Sequence, residues 1–75
     1  MDFVEWLETE KGFSRKGAID VRSRTLRVKE MLQIKKITAK SIADLNELDE
    51  FQDLSASIKS QLRRACRLYL EYSSK

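Results

Sequence analysis

Leu54-Ser55-Ala56-Ser57-Ile58-Lys59-Ser60-Gln61-Leu62-Arg63-Arg64-Ala65-Cys66-Arg67-Leu68-Tyr69-Leu70-Glu71-Tyr72 carries a clear helical pattern that the rest of the chain is built to hold. Ile58, Leu62, Ala65, Tyr69 and Tyr72 recur at steps of three and four residues, the spacing of one buried helix face. Ser55 or Ser57 stands where an N-cap belongs, its hydroxyl able to accept from a backbone N–H that the helix itself leaves unpaired. Lys59, Arg63, Arg64 and Arg67 fall away from the apolar positions, and no acid follows until Glu71. One helix thus offers an apolar side to a core and a basic side to something anionic.

The rest of the composition agrees with a helical setting for it. A 75-residue chain has room for one domain, residues 1–75. At that size folding buries only roughly 60% of the unfolded surface, so the core must be compact. Proline is absent and glycine occurs only at positions 12 and 17, while 41% of residues are apolar and 36% charged, which predicts an all-α bundle. Histidine is absent and Cys66 is the only cysteine, which excludes a Cys/His zinc cluster and an intrachain disulfide. No apolar run approaches the roughly 20 residues that cross a bilayer, and the N-terminus lacks a basic-then-apolar signal pattern. With a lone thiol suited to a reducing compartment, the expectation is a cytoplasmic protein with no membrane partner.

Working back from the opening stretch, the sequence predicts a short first helix over about Asp2–Lys11, with Asp2 as N-cap and Gly12 as its stop. Phe3, Val4, Trp6 and Leu7 supply its apolar surface, and Trp6 reads as a core anchor rather than a base-stacking ring. A long second helix follows Ser14 and runs to Leu32 or Gln33. Ala18, Val21, Thr25, Val28 and Leu32 face inward there, with Ile19, Leu26 and Met31 widening the stripe. Phe13 precedes the cap and can pack on the first turn. Gly17 is a poor helix residue, costing about 1 kcal/mol against Ala; it reads as a tolerated weakness, a close helix contact, or a close approach to a phosphate. Thr38 caps a short third helix ending near Glu47–Asp49, with Ile42, Leu45 and Leu48 inward. Asp49–Asp53 reads as an acidic loop from which Phe51 can fold back onto the core. The order is short, long, short, long.

Charge alternates along this order. Acids dominate Met1–Lys11, bases dominate Arg15–Lys40, Asp44–Asp53 is acidic, and the last helix is basic again, for a net charge of +3. Such blocks can converge into one basic and one acidic face, which points to a polyanion partner with nucleic acid foremost. Phosphates are held by Lys, Arg, hydroxyls and the N–H groups of helix starts, all present here. A solvated helix exterior accounts for the same charges, so patterning alone leaves both readings open. Without His the usual neutral-pH base is missing, Cys66 lies beside the apolar face as a small hydrophobe, and no glycine-rich phosphate loop exists. By itself the chain reads as no enzyme, and no cofactor is expected.

Three runs, taken in order, resemble a known family. Phe3-Val4-Glu5-Trp6-Leu7 with Lys11-Gly12-Phe13-Ser14-Arg15-Lys16 is similar to the opening of the N-terminal core-binding domain of tyrosine recombinases, the phage integrases. Ile37-Thr38-Ala39-Lys40-Ser41-Ile42-Ala43-Asp44-Leu45 resembles that family's entry to its third helix, and Leu54 to Ala65 resembles its "Leu-Ser-x-Thr-Ile-x-x-x-Leu-x-x-Leu" run. The chain departs from the family where Gly17, Val21 and Val28 stand for its usual Thr, Tyr and Phe, and where Ser57 stands for Thr. The resemblance implies a compact four-helix SAM-like core-binding bundle that clamps double-stranded DNA through the basic faces of its two long helices. By position it implies DNA contacts from Ser14, Arg15 and Lys16, and from Ser55, Ser57, Lys59, Arg63 and Arg64, with Arg22, Arg24 and Arg67 as second choices. Family catalysis belongs to a C-terminal domain that would follow Lys75, and Tyr69 and Tyr72 belong to the core rather than to the nucleophile's role. The partners so implied are DNA, that catalytic domain and other recombinase protomers, with the isolated domain monomeric. The alternative is a small helical protein-interaction module with no DNA role; a helix-turn-helix regulator fits less well, since a whole helix separates the two long ones.

Overall fold

The computed structural model describes residues 1–74, and all of its regular structure is helical. Helix α1 spans Phe3–Glu10, α2 Arg15–Leu32, α3 Ala39–Glu47, α4 Asp49–Gln52 and α5 Ala56–Ser73. Five helices form where four were expected, a single-turn α4 standing between α3 and the long last helix.

Local chemistry sets the helix ends. The Asp2 carboxylate accepts from the Glu5 N–H at 2.8 Å, Ser14 Oγ from the Gly17 N–H at 3.1 Å, and Ser55 Oγ from the Ile58 N–H at 3.2 Å. Each hydroxyl or carboxylate thereby satisfies a donor that has no partner within its own helix. Ser55 is the cap of α5, and Ser57 lies inside the first turn. Before α3, Ser41 Oγ accepts from the Thr38 N–H at 2.9 Å, the returning half of a capping box. Gly12 leaves α1 with φ +70°, a backbone glycine adopts without cost. α2 stops with no glycine at all. Gln33 takes the left-handed conformation at φ 55°, and Ile34 N–H reaches back to the Lys29 carbonyl at 3.0 Å, the signature of a Schellman turn.

The core has two connected parts. In one, Phe3, Val4, Trp6 and Leu7 of α1 bury against Ala18 and Val21 of α2 and Ala65 of α5. The Phe3 ring lies 5.2 Å from both Tyr69 and Tyr72, and Trp6 lies 5.6 Å from Tyr72. In the other, Val28, Ile37, Leu45, Phe51, Leu62 and Cys66 come together. Tyr69 packs against both parts, so α2 and α5 carry one continuous core along their length. Each large side chain sealed in this way contributes about 1.5–3 kcal/mol.

Three details differ from the sequence reading. Asp49–Asp53 is not a plain loop: Leu48 takes an extended conformation, Gln52 N–H bonds the Leu48 carbonyl at 3.0 Å, and a single turn forms as α4. Phe51 drives it, being fully buried, while Asp49 and Glu50 sit in the first turn where the helix dipole favours acids. The Gln52 side-chain amide also donates to the Asn46 carbonyl, joining α4 to α3. Second, Ile19 and Leu26 do not widen the inward stripe of α2; they are 40% and 41% exposed. The buried line Ala18–Val21–Thr25–Val28 is one residue wide because the remaining helices cover α2 from one side only. Third, Leu32, Ile42 and Leu48 are half-buried at the margin of the core rather than sealed in it.

Candidate nucleic-acid interface

The first turn of α2 presents Ser14, Arg15 and Lys16 at the surface. Phe13, just ahead of them, packs against the core and holds the turn in place. Arg64 of α5 then crosses to this point, its guanidinium 5.3 Å from the centre of the Phe13 ring. A cation over an aromatic face gains from the ring's negative centre while its N–H donors stay in water. Arg64 is thereby held beside the residue that precedes the Ser14 cap. Ser14 Oγ and carbonyl engage the N–H groups of Gly17 and Ala18, which leaves those of Arg15 and Lys16 directed out of the helix start. Arg15 also meets Glu8 at 3.1 Å, yet its side chain is 71% exposed and the guanidinium keeps further donors for another acceptor. Among the described residues Lys16 has no acid within ion-pair distance.

The residues of α5 divide differently. Arg63 Nε donates to Asn46 Oδ1 at 2.9 Å, and its guanidinium lies 5.2 Å from the Phe51 ring centre. It is a tie from α5 to α3 and α4, half-buried and committed to the fold. Lys59, one turn earlier on the same flank, is also half-buried. Ser55 is exposed but occupied as a cap, and Ser57, two residues from both Ser55 and Lys59, shares a face with neither. The start of α5 follows Asp49, Glu50 and Asp53, acids that lower its appeal to a phosphate. Of the sequence-predicted residues, Ser14, Arg15 and Lys16 follow one another at the start of α2, and Arg64 reaches the Phe13 ring that precedes them. Arg63 faces elsewhere, with Ser55, Ser57 and Lys59 distributed around the start of α5.

Other cations are similarly placed by rings. Lys29 Nζ lies 5.3 Å from the Tyr69 ring, and Lys11 Nζ lies 5.6 Å from Trp6 while pairing with Glu71. The contact of Arg64 with Phe13 was not readable from sequence spacing, because the two residues lie on different elements; the one signal was an aromatic residue stranded just before a cap. Cys66 is sealed in the core, and burial pushes its thiol up from 9.0 to about 11 against a smaller opposing pull from Arg67. A thiol so placed is a packing group. Among the described residues no cluster of three or more His, Cys, Asp or Glu forms a metal-sized site, and no helix is long and apolar enough to cross a membrane. No family model, curated protein or solved structure matches the chain.

Proposed function

We propose that the chain is a DNA-binding domain of the tyrosine-recombinase kind, and that it holds duplex DNA at the basic surface around the start of α2. The observation that carries the reading is the contact of Arg64 with the Phe13 ring, which sets a cation of α5 next to the Ser14–Lys16 start of α2. Three cations, a hydroxyl and two outward N–H groups are the donor set by which proteins grip a phosphate backbone. The order of the sequence runs that resemble core-binding domains adds the family. In a parent recombinase, strand cleavage would fall to a separate catalytic domain, with this bundle supplying grip and orientation. Arg63 serves the fold, and Ser55, Ser57 and Lys59, distributed around the start of α5, stand outside the contact in this reading.

A duplex titration followed by backbone NMR tests it. Shifts should centre on residues 13–18 and on Arg64, and log affinity should fall with log salt by about 0.9 per phosphate neutralised. Lys16→Glu with Arg64→Glu should weaken binding at least about tenfold at moderate salt with helicity unchanged, since each reversal turns an attraction into a repulsion. Arg63→Ala, by contrast, should cost about 1 kcal/mol of stability and leave duplex affinity nearly unaltered. Duplex affinity that survives the double reversal removes the start of α2 as the contact.

A further inference from the structure

A groove of about 540 Å³ runs along the outer side of α2, floored by Phe3, Val4 and Tyr69. Apart from the buried Thr25, its α2 wall is a regular stripe: Arg15, Ile19, Arg22, Leu26 and Lys29, at steps of four, three, four and three residues. Those steps keep all five side chains on one helix face, with Arg15, Arg22 and Lys29 alternating with Ile19 and Leu26. Ile19 and Leu26 are, with Met1, the large apolar side chains left exposed among the described residues. We infer that this groove docks an acidic amphipathic helix from a partner protein.

Two features select that occupant. A phosphate backbone has use for the three cations but none for Ile19 and Leu26, which stand between them and would remain against water or charge. A partner helix with apolar residues at heptad spacing fills the positions between the cations, and flanking Asp and Glu meet Arg15, Arg22 and Lys29. The stripe from Arg15 to Lys29 is about 21 Å long, enough for roughly four turns of the partner. Charge complementarity is uneven only at one end. Asp2 is the one acid lining the groove, and its carboxylate is engaged in capping the Glu5 N–H at 2.8 Å. Glu8 is held by Arg15, and Lys29 is steadied over Tyr69, which fixes its ammonium at the groove rim. The groove shares only Arg15 with the phosphate contact proposed above; Ile19, Leu26 and Lys29 play no part in it.

The test uses the full chain without DNA and a synthetic helical peptide of about 16 residues, with Leu at two positions of each heptad and Glu flanking them. Saturable NMR shifts confined to Arg15–Lys29, the first turn of α1 and Tyr69 are expected, with a matched peptide carrying Lys for Glu giving none. Leu26→Glu should weaken peptide binding at least about tenfold, the new carboxylate both removing an apolar contact and repelling the probe. Because Leu26 is exposed, far-UV circular dichroism should show the variant folded, and Arg22→Glu offers a second, purely electrostatic disruption. Three results would overturn the proposal: no shifts at millimolar peptide, binding unaffected by Leu26→Glu and Arg22→Glu, or equal binding of the Lys peptide. Self-association in sedimentation that Leu26→Glu abolishes would also overturn it, by assigning the groove to a second copy of the chain.

Discussion

Cys66 shows how far a single residue's behaviour follows from where it is buried. Its side chain is fully enclosed beside Leu62 and Phe51, and the thiol is pushed up from 9.0 to about 11 by the loss of solvent around its anion. Below pH 9 both the folded and unfolded chains keep the proton, and the thiol is neutral in stability. Between pH 9 and about 11 the unfolded chain releases it while the folded chain does not, so stability falls as pH rises. Cys66→Ala has no such proton to lose. The variant should be less stable at neutral pH because of the space it leaves, and the gap to the parent chain should narrow as pH climbs through that window. Urea titrations at several pH values check this, and a constant gap would contradict the burial argument. That Cys66 is a core residue was legible in the sequence, one step from Ala65 on the apolar side of the helix. The role of Arg63 was not. Its neighbour Arg64 has the same charge and adjacent position, yet one meets Asn46 and Phe51 and the other Phe13. Which cation is structural depends on what arrives from elsewhere in the chain.

Elements with a long period and a clear cap were read well, and α2 illustrates both the success and its limit. Its start at Ser14 and its buried line through Ala18, Val21, Thr25 and Val28 follow directly from side-chain type and spacing. Its outer margin does not, because whether Ile19 and Leu26 are covered depends on how many helices surround them. α4 escaped for the opposite reason: four residues cannot show a helical period, and only the burial of Phe51 turns that segment into a turn. Gly17 carries an element-level prediction. A methyl added there would stand 3.2 Å from Ser14 Oγ and 3.5 Å from Phe13 Cδ2, crowding the very oxygen that caps the helix. Replacing glycine inside a helix ordinarily gains about 1 kcal/mol, and removing a serine cap ordinarily costs about 1 kcal/mol. Gly17→Ala should therefore be close to neutral in the parent chain and stabilising by about 1 kcal/mol in a Ser14→Ala background. Thermal melts of the two single variants and the double form the cycle. Equal gains in both backgrounds would show that the cap hydroxyl yields freely.

At the scale of the whole molecule the two parts of the core stand or fall together, because Tyr69 packs against both and α2 and α5 traverse both. Trp6 reports on one part by its fluorescence, whereas far-UV circular dichroism reports on all the helices. The two unfolding curves should coincide, as a single cooperative transition requires. Phe51→Ala strikes the part remote from Trp6 and should cost about 3–5 kcal/mol, a large share of the roughly 4–11 kcal/mol available to a chain of this length. The Trp6 midpoint should fall with the rest, and a Trp6 transition that stays put would divide the molecule in two. One contact has a bearing on architecture beyond stability. The Tyr72 hydroxyl donates to the Met1 carbonyl at 3.0 Å, which brings the two ends of the described chain side by side. Polypeptide fused at either end would leave from the same corner of the bundle. The unit is therefore shaped like a cassette that can be spliced into the loop of a host protein, its entry and exit closing on one another as the ends of a hairpin do.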